Sequence, residues 1–192
     1  MSWHRLFVIP WVVFVVYWIA GALKTRRTVR RESPASRYGI LLLEIIGFAL
    51  LFLDDMGIGP LDRHIVPPTD ALAGIGVVCT WIGIAIAVWA RYHLGQYWSA
   101  RVTIKQDHKL IHTGPYAWFR HPIYSGLDPA ALGGTLAIGE VRSVIGLFLI
   151  VLGYWIKART EERMLSAQFG EAFEEHCRHT GFLLPKFSQG NI

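Results

Sequence analysis

Hydrophobic residues along this chain gather into five runs, and the polar residues collect between them. Three runs, at 6–23, 38–53 and 71–90, are each long enough to cross most or all of a hydrocarbon core of about 30 Å as a helix. The first and third runs carry no charge, and Glu44 alone interrupts the second. We therefore predict three N-terminal transmembrane helices within residues 1–90.

Two shorter apolar runs follow at 123–139 and 144–156, separated only by a short turn, which predicts a helical hairpin. Nothing breaks the second of these helices before Gly170, so we expect it to continue into the polar tail. The balanced charges of that tail suit a cap folded over one end of the bundle. The pattern predicts an all-α integral membrane protein of about five transmembrane helices in one domain, 1–192, with 91–192 as its chemically active region.

The charges between the runs predict the orientation in the membrane. Segment 24–37 has six basic residues and one acidic residue, and segment 91–122 has five basic residues and one acidic residue. Segment 54–70 has four acidic residues and one basic residue. Because basic loops stay in the cytoplasm, we expect the N-terminus outside and the tail from Lys157 inside, with the cell inner membrane as the location.

Composition supports the membrane interpretation. Hydrophobic residues make up 53% of the 192 residues against 17% charged, and the mean hydropathy is +0.35, which is too apolar for an ordinary soluble domain. The net charge of +5 is concentrated in membrane-flanking loops, so it does not predict nucleic-acid binding. Cys79 lies in an apolar run and Cys177 in the polar tail, a separation that predicts neither a disulfide nor a zinc site.

Polar side chains that could take part in catalysis or binding form a first cluster at 101–125. Pro122 favours an extended backbone at His121, which would hold Arg120 and His121 at the mouth of the fourth helix. Free backbone amides at a helix start also favour an anionic group. A purely structural interpretation has equal weight: Arg120 anchors the interface, His121 caps the helix and Tyr124 joins an aromatic belt. No metal site is predicted, because a continuous helix cannot present the histidines together across the Gly-Pro turn.

A second cluster lies just beyond the fifth run. On a helix, Lys157 and Glu161 share one face, whereas Arg159 and Glu162 lie off to the side. Surface ion pairs at a solvated helix end would explain the same residues. Two carboxylates also lie inside apolar runs, where they are functional candidates by default. Asp128 could instead cap the fourth helix, and we expect Glu44 to have a structural partner inside the bundle.

An ordered set of residues runs through both clusters: His108, Leu110, Ile111, Gly114, Tyr116, Arg120-His121-Pro122, Tyr124 and Gly126, then Glu161-Glu162, Phe169-Gly170 and Pro185. This set resembles the motif of the isoprenylcysteine carboxyl methyltransferase family, over roughly half of the chain. A lone Arg-His-Pro would be weak evidence, but the ordered set on one predicted side of the membrane is strong.

The resemblance implies an S-adenosylmethionine-dependent methyltransferase that has no Rossmann domain and releases S-adenosylhomocysteine. It implies a cofactor enclosed by a group of motif residues: His108, Lys109, Leu110, Ile111, Tyr116, His121, Pro122, Ile123, Tyr124, Glu161 and Glu162. Catalytic roles are implied for a smaller group: Arg120, Lys157, Arg159 and Glu161. The family has an Arg one turn before the first Glu, facing the substrate. Lys157 stands at that position here, so either Lys157 or Arg159 is the substrate-facing cation.

The expected reaction is methylation of the carboxylate of an isoprenylcysteine-like lipophilic or lipidated acceptor drawn from the membrane lipid. Such an acceptor is ionised at neutral pH and needs desolvation and one orienting cation rather than a base. Three alternatives stay open: methylation of a phospholipid amine or small thiol, NADPH-dependent reduction of a sterol-like substrate, and a non-enzymatic membrane scaffold.

Overall fold

The computed structural model describes residues 3–22, 27–53, 57–67, 69–98, 102–105 and 109–187, which fold into a bundle of helices. The helices and strands follow in chain order: α1 (Trp3–Ala22), β1 (Thr28–Arg31), α2 (Pro34–Phe52), α3 (Asp70–Leu94), β2 (Thr103–Lys105), α4 (Pro122–Ile138), α5 (Val141–Phe169) and α6 (Glu171–His179). The prediction of a helical integral membrane protein is confirmed. The two short strands form an antiparallel sheet that the hydrophobic pattern does not predict.

Five of these helices correspond to the five predicted runs. Among the described residues, three helical stretches are long and apolar enough to cross a membrane: Pro34–Phe52, Asp70–Tyr97 and Val141–Phe169. Leu6–Ala22 is a shorter apolar helix, and α4 has 17 residues. Helices α4 and α5 form the predicted hairpin, with the left-handed Gly139 ending α4 at a φ of 71°.

The two ends of the bundle are fixed by contacts between distant segments. Strand β1 follows α1, and its partner β2 follows α3, so both strands lie at one end, here called the sheet end. At the other end, here called the hairpin end, His64 forms a backbone bridge with Glu140 beside the α4–α5 turn. The described parts of the two basic segments therefore share one end, and those of the acidic segment lie at the other, as the charge pattern predicts. Which end faces the cytoplasm stays a prediction.

Glycines allow α3 and α4 to pack with their backbones in close contact. A Cβ atom built on Gly83 would lie 2.3 Å from the carbonyl oxygen of Gly126, and one on Gly133 would lie 2.3 Å from that of Gly76. The hydroxyl of Thr80 also donates to the carbonyl of Ala130 across this interface at 3.2 Å. Small residues of this kind are typical of tightly packed membrane helices. The α3–α4 pair thus gives the segment before α4 a rigid base.

Helix α5 continues unbroken from the hairpin end to Phe169, as predicted, and the chain turns at Gly170 with a φ of 53°. Helix α2 packs along it where Gly47 faces Gly146 and Ile150. Helix α4 begins at Pro122, and proline is favoured at the first position of a helix because the N–H that it lacks has no partner there. Asp128 lies within α4 rather than at its start, so the alternative that Asp128 caps this helix is wrong.

Candidate active site

A cavity of about 350 Å³ opens at the sheet end, and motif residues form one side of it. His121, Tyr124 and Glu161 line that side. The other walls are largely apolar or aromatic and come from α1, α2 and the segments around α3 and β2: Phe14, Trp18, Leu41, Leu94, Tyr97, Trp98 and Val102. The volume lies within the usual range of small-molecule sites, about 300–1,000 Å³. Polar side chains on one side and apolar walls on the other suit a ligand that has a polar part and an apolar part.

Arg120 binds the C-terminal segment to the start of α4. Its Nε donates to Oε1 of Glu162 at 2.6 Å, and its Nη1 donates to the carbonyl of Thr180 at 2.7 Å. The backbone amide of Arg120 also donates to the carbonyl of Gly181 at 2.8 Å. The side chains of Arg120 and Glu162 are mostly buried, so the ion pair is shielded from solvent. Charge-assisted bonds of this kind hold α5, the C-terminal segment and the start of α4 together.

His121 lies between the two adjacent carboxylates of α5. Its side chain is only 3% exposed, with Nδ1 3.3 Å from Glu161 Oε2 and Nε2 3.5 Å from Glu162 Oε1. Burial alone would lower the pKa of His121, but the two neighbouring carboxylates outweigh it and raise that pKa. Nε2 is buried and has no hydrogen-bond partner within the described residues. His121 occupies the N-cap position of α4, but its side chain makes no capping hydrogen bond there.

Tyr124 connects this carboxylate pair to the aromatic interior. Its hydroxyl donates to Oε1 of Glu161 at 2.6 Å, and its ring stacks on Tyr154 with centroids 5.1 Å apart. Tyr116 is buried and lines the same cavity, and burial raises the pKa of its hydroxyl. The hydroxyl of Tyr116 therefore stays protonated near neutral pH, and both hydroxyls can act as hydrogen-bond donors.

Lys157 and Glu44 form an ion pair inside the cavity. Nζ of Lys157 lies 3.2 Å from Oε1 of Glu44, and both side chains are less than one fifth exposed. Nζ also lies 5.7 Å from the centre of the Tyr124 ring. The expectation that Glu44 has a structural partner inside the bundle is confirmed. Lys157 and Glu161 both line the cavity, which confirms that they share a face of α5.

Arg159 lies outside the cavity lining. Its side chain is half exposed, pairs with Glu162 at 3.3 Å and covers the ring of Phe182 at 4.5 Å. Between the two candidate cations, the geometry therefore favours Lys157. Glu162 is rotated away from the Lys157 face, as predicted, yet it contacts His121 and Arg120 because the segment before α4 crosses α5 at that point.

The segment before the Gly-Pro turn makes a smaller contribution to the cavity. Lys109 is exposed, Leu110 is half-buried and Ile111 packs against the core, and none of the three lines the cavity. Pro122 is buried and Ile123 lines the cavity. His108 lies outside the described residues.

The ring of His112 packs on His176 with centroids 5.5 Å apart. Burial, followed by the charges of His112 and Arg120, lowers the pKa of His176 to about 4. Across the described parts of the chain, no three His, Cys, Asp or Glu residues are arranged to hold a metal ion.

The motif does not identify the apolar wall of the cavity or the role of Glu44. Phe14, Trp18 and Leu41 come from runs that read only as generic membrane helices. The sequence does predict a partner for Glu44, since an isolated carboxylate within an apolar run needs one. Its partner could not be identified because it lies 113 residues further along the chain.

Comparison with known proteins agrees with this geometry. Residues 75–167 match the family model described as the isoprenylcysteine carboxyl methyltransferase family, and this segment contains His121, Tyr124, Lys157 and Glu161. Over that segment, the chain is similar to the isoprenylcysteine carboxyl methyltransferase family. Helices α1 and α2, which supply part of the cavity wall, both lie before the matched segment.

The proteins that resemble this chain have different names. The chain is 34% identical over 108 residues to the protein-S-isoprenylcysteine O-methyltransferase of Schizosaccharomyces pombe, covering 54% of this chain and 44% of the relative. It is 31% identical over 109 residues to the cobalt-zinc-cadmium resistance protein CzcN of Cupriavidus metallidurans, covering 56% of this chain and 48% of that protein. The chain thus spans about half the length of these curated relatives.

A solved structure shares the fold. The eukaryotic intramembrane Ras methyltransferase ICMT superposes with a TM-score of 0.53 at 20% identity, covering 80% of this chain and 54% of that one. At this level of identity the likeness concerns the fold alone. The chain therefore has the helical membrane architecture of that enzyme, and its own cavity residues carry the argument for chemistry.

Proposed function

We propose that this protein is an S-adenosylmethionine-dependent methyltransferase that methylates the carboxylate of an isoprenylcysteine-like lipophilic acceptor at the inner face of the cell membrane. The observation that carries the proposal is the single cavity in which Tyr124, His121 and Glu161 face an apolar wall from α1 and α2. The similarity to the family over residues 75–167 supports methyl transfer, and the apolar wall supports a lipophilic acceptor.

The residues present fit the proposed cofactor. Tyr116, His121, Tyr124 and Glu161 line the side of the cavity that would hold it, and the buried Nε2 of His121 needs a polar partner. His108, Lys109, Leu110 and Ile111 stay predicted contacts. When bound, the cofactor supplies a methyl group carried on a positively charged sulfur. Glu161 provides a negative charge and Tyr116 and Tyr124 provide aromatic faces, both of which favour a cation.

The acceptor side requires alignment and one cation. A carboxylate is already ionised, so methylation removes no proton and needs no general base. Lys157 lines the cavity and can donate to an acceptor oxygen, while the apolar wall excludes water from the reacting groups. Binding both reactants in a fixed alignment accelerates the reaction, because a bimolecular encounter becomes an effectively unimolecular step.

The proposed location follows from the charges at the two ends. The sheet end carries the basic segments and the cavity, so we place it in the cytoplasm, where S-adenosylmethionine is available. The N-terminus would then lie outside. Reporter fusions after Ser33, Pro67 and Ile192 should report inside, outside and inside, and the opposite pattern would overturn the orientation.

Two measurements on the purified protein test the activity. S-adenosylhomocysteine should raise the melting temperature, whereas NADPH should not. Transfer of labelled methyl from S-adenosylmethionine should occur to prenylcysteine acceptors and not to phospholipid or small-thiol panels. Stabilisation by NADPH alone would instead indicate a reductase, and transfer only to a phospholipid or a thiol would reject the carboxylate acceptor.

A further inference from the structure

The charged groups that line the cavity are already paired within the described residues. Lys157 pairs with Glu44, Arg120 pairs with Glu162, and His121 contacts Glu161. An acceptor with a carboxylate alone would add a negative charge beside Glu44 and Glu161. Such an acceptor would also compete with Glu44 for the ammonium of Lys157. Displacing Glu44 from Lys157 would leave the Glu44 carboxylate without its partner in a partly dry site, which is costly, so this pairing restricts the acceptor.

The Glu44–Lys157 pair has the complementary charges of an α-amino acid head group. Its carboxylate and ammonium lie 3.2 Å apart, and both are accessible from the cavity. An acceptor ammonium can bind Glu44 while its carboxylate binds Lys157, which adds two ion pairs and no net charge. The ring of Tyr124 lies beside Lys157, and Tyr154 stacks behind it, so a cationic group also meets aromatic faces.

The position of the pair indicates an acceptor site rather than a part of the cofactor site. Glu44 comes from α2, one turn after Leu41 on the same helix face, and Leu41 belongs to the apolar wall. Phe14 and Trp18 of α1 extend that wall. The head group would therefore sit at the pair, with its hydrocarbon along α1 and α2.

We propose that Glu44 is a specificity-determining residue that selects a lipophilic acceptor with a free amino group beside the carboxylate, such as a free S-alkylated cysteine rather than an N-acylated one. This inference rests on the proposed function. In the reaction, a carboxylate oxygen forms the new bond to the methyl carbon as the bond from that carbon to sulfur breaks. The products are a methyl ester and neutral S-adenosylhomocysteine, and no proton is transferred.

The test compares two probes, S-farnesylcysteine and N-acetyl-S-farnesylcysteine, at pH 7 with labelled S-adenosylmethionine. For the unaltered protein we expect kcat/KM to be about 10-fold higher for the free amine, which corresponds to about 1.4 kcal/mol. Glu44→Gln should bring the ratio close to one, with S-adenosylhomocysteine affinity unchanged. Glu171→Gln removes an exposed carboxylate from α6 and should keep the ratio of the unaltered protein.

Several results would overturn the inference. A ratio of one or less in the unaltered protein, or the same ratio in Glu44→Gln, removes the selective role of Glu44. A large loss of S-adenosylhomocysteine affinity in Glu44→Gln would assign the pair to the amino-acid end of the cofactor instead. If Glu44→Gln does not fold, Glu44→Gln combined with Lys157→Gln leaves two neutral amides that can pair, and it should also lose the preference.

Failure of the proposed function gives a different result. If neither probe is methylated, the reaction is not the one proposed, and calorimetry of probe binding then decides the inference. Tighter binding of the free amine, lost in Glu44→Gln, would support the zwitterion site. Equal binding of both probes would reject it.

Discussion

The two ends of the bundle each contain an arginine–carboxylate network, but only one network adjoins the cavity. At the hairpin end, Arg142 is buried, pairs with Glu140 and donates to the carbonyls of Leu50 and Leu53 at the end of α2. At the sheet end, Arg120 pairs with Glu162 and donates to the carbonyl of Thr180. Both networks therefore join a helix end to a distant segment.

The difference lies in what surrounds each network. Arg142 and Glu140 do not line the cavity, and they join α2 to the α4–α5 turn. Arg120 and His121 line the cavity, and His121 keeps one buried nitrogen without a hydrogen-bond partner in the described structure. Identical residue types thus serve stability at one end and a candidate site at the other. A charged cluster indicates function when it adjoins a cavity and leaves a polar atom unsatisfied.

Replacing Arg142 tests the structural end. Arg142→Met should lower the free energy of unfolding by about 3 kcal/mol, because Glu140 loses its partner and two helix carbonyls lose a donor. Thermal melting in detergent measures the loss, with Arg63→Met as the control at an exposed arginine of the same end. At temperatures where the variant is folded, its S-adenosylhomocysteine affinity should be unchanged. A stable Arg142→Met protein with weakened cofactor binding would contradict the division between the two ends.

Replacing Lys157 tests the acceptor side of the site. Lys157→Ala should lower activity on a carboxylate acceptor roughly 100-fold, because the acceptor loses its orienting cation. Lys157→Arg should keep activity or raise it. Arg159→Ala should have a smaller effect, since Arg159 is half exposed outside the cavity. Steady-state kinetics measure both. A silent Lys157→Ala with a severe Arg159→Ala would reverse the assignment, and two silent variants would argue against a carboxylate acceptor.

Replacing His121 or Glu161 tests the cofactor side. His121→Ala and Glu161→Gln should each weaken S-adenosylhomocysteine binding at least ~10-fold, about 1.4 kcal/mol, because each removes a polar group that lines the proposed cofactor site. Titration calorimetry measures the affinity, and circular dichroism checks that the helices remain. Unchanged affinity in both variants would show that these residues serve structure alone.

The raised pKa of His121 predicts a modest pH dependence of stability. Protonated His121 is stabilised by the carboxylates of Glu161 and Glu162, which outweigh the cost of its burial. A raised pKa in the folded state contributes stability that is complete below the unfolded value of about 6.5 and is lost as pH rises through the folded value. The melting temperature should therefore fall as pH rises above about 6.5. The melting temperature of His121→Asn should fall less over the same pH range. An equal decline in both proteins would remove His121 as the cause.

Local features of the site follow from the sequence. Pro122 and Gly170 mark where α4 begins and α5 ends because proline favours the first helical turn and glycine allows the positive φ that ends a helix. Helical periodicity places Lys157 and Glu161 on one face. The order of motif residues around Arg120 and His121 indicates the resemblance to the isoprenylcysteine carboxyl methyltransferase family.

Contacts between distant segments do not follow from the sequence. The pairing of β1 with β2, the ion pair of Glu44 with Lys157 and the contact of Arg120 with Thr180 all depend on how the helices pack. Periodicity assigns a residue to a helix face but does not identify the segment that covers that face. For this reason the sequence identifies the motif side of the cavity, whereas the acceptor side is visible only in the fold.

The most direct test of the proposed chemistry is the chemical form of the transferred methyl group. The purified protein is incubated with labelled S-adenosylmethionine and S-farnesylcysteine, and the lipid product is then treated with alkali. A methyl ester hydrolyses to volatile methanol, so we expect the label to become volatile. The amount of volatile label should be about 100-fold lower with Lys157→Ala. Label that stays with the lipid after alkali would show methylation of nitrogen or sulfur, and no label in the lipid would show that this cavity does not methylate this acceptor.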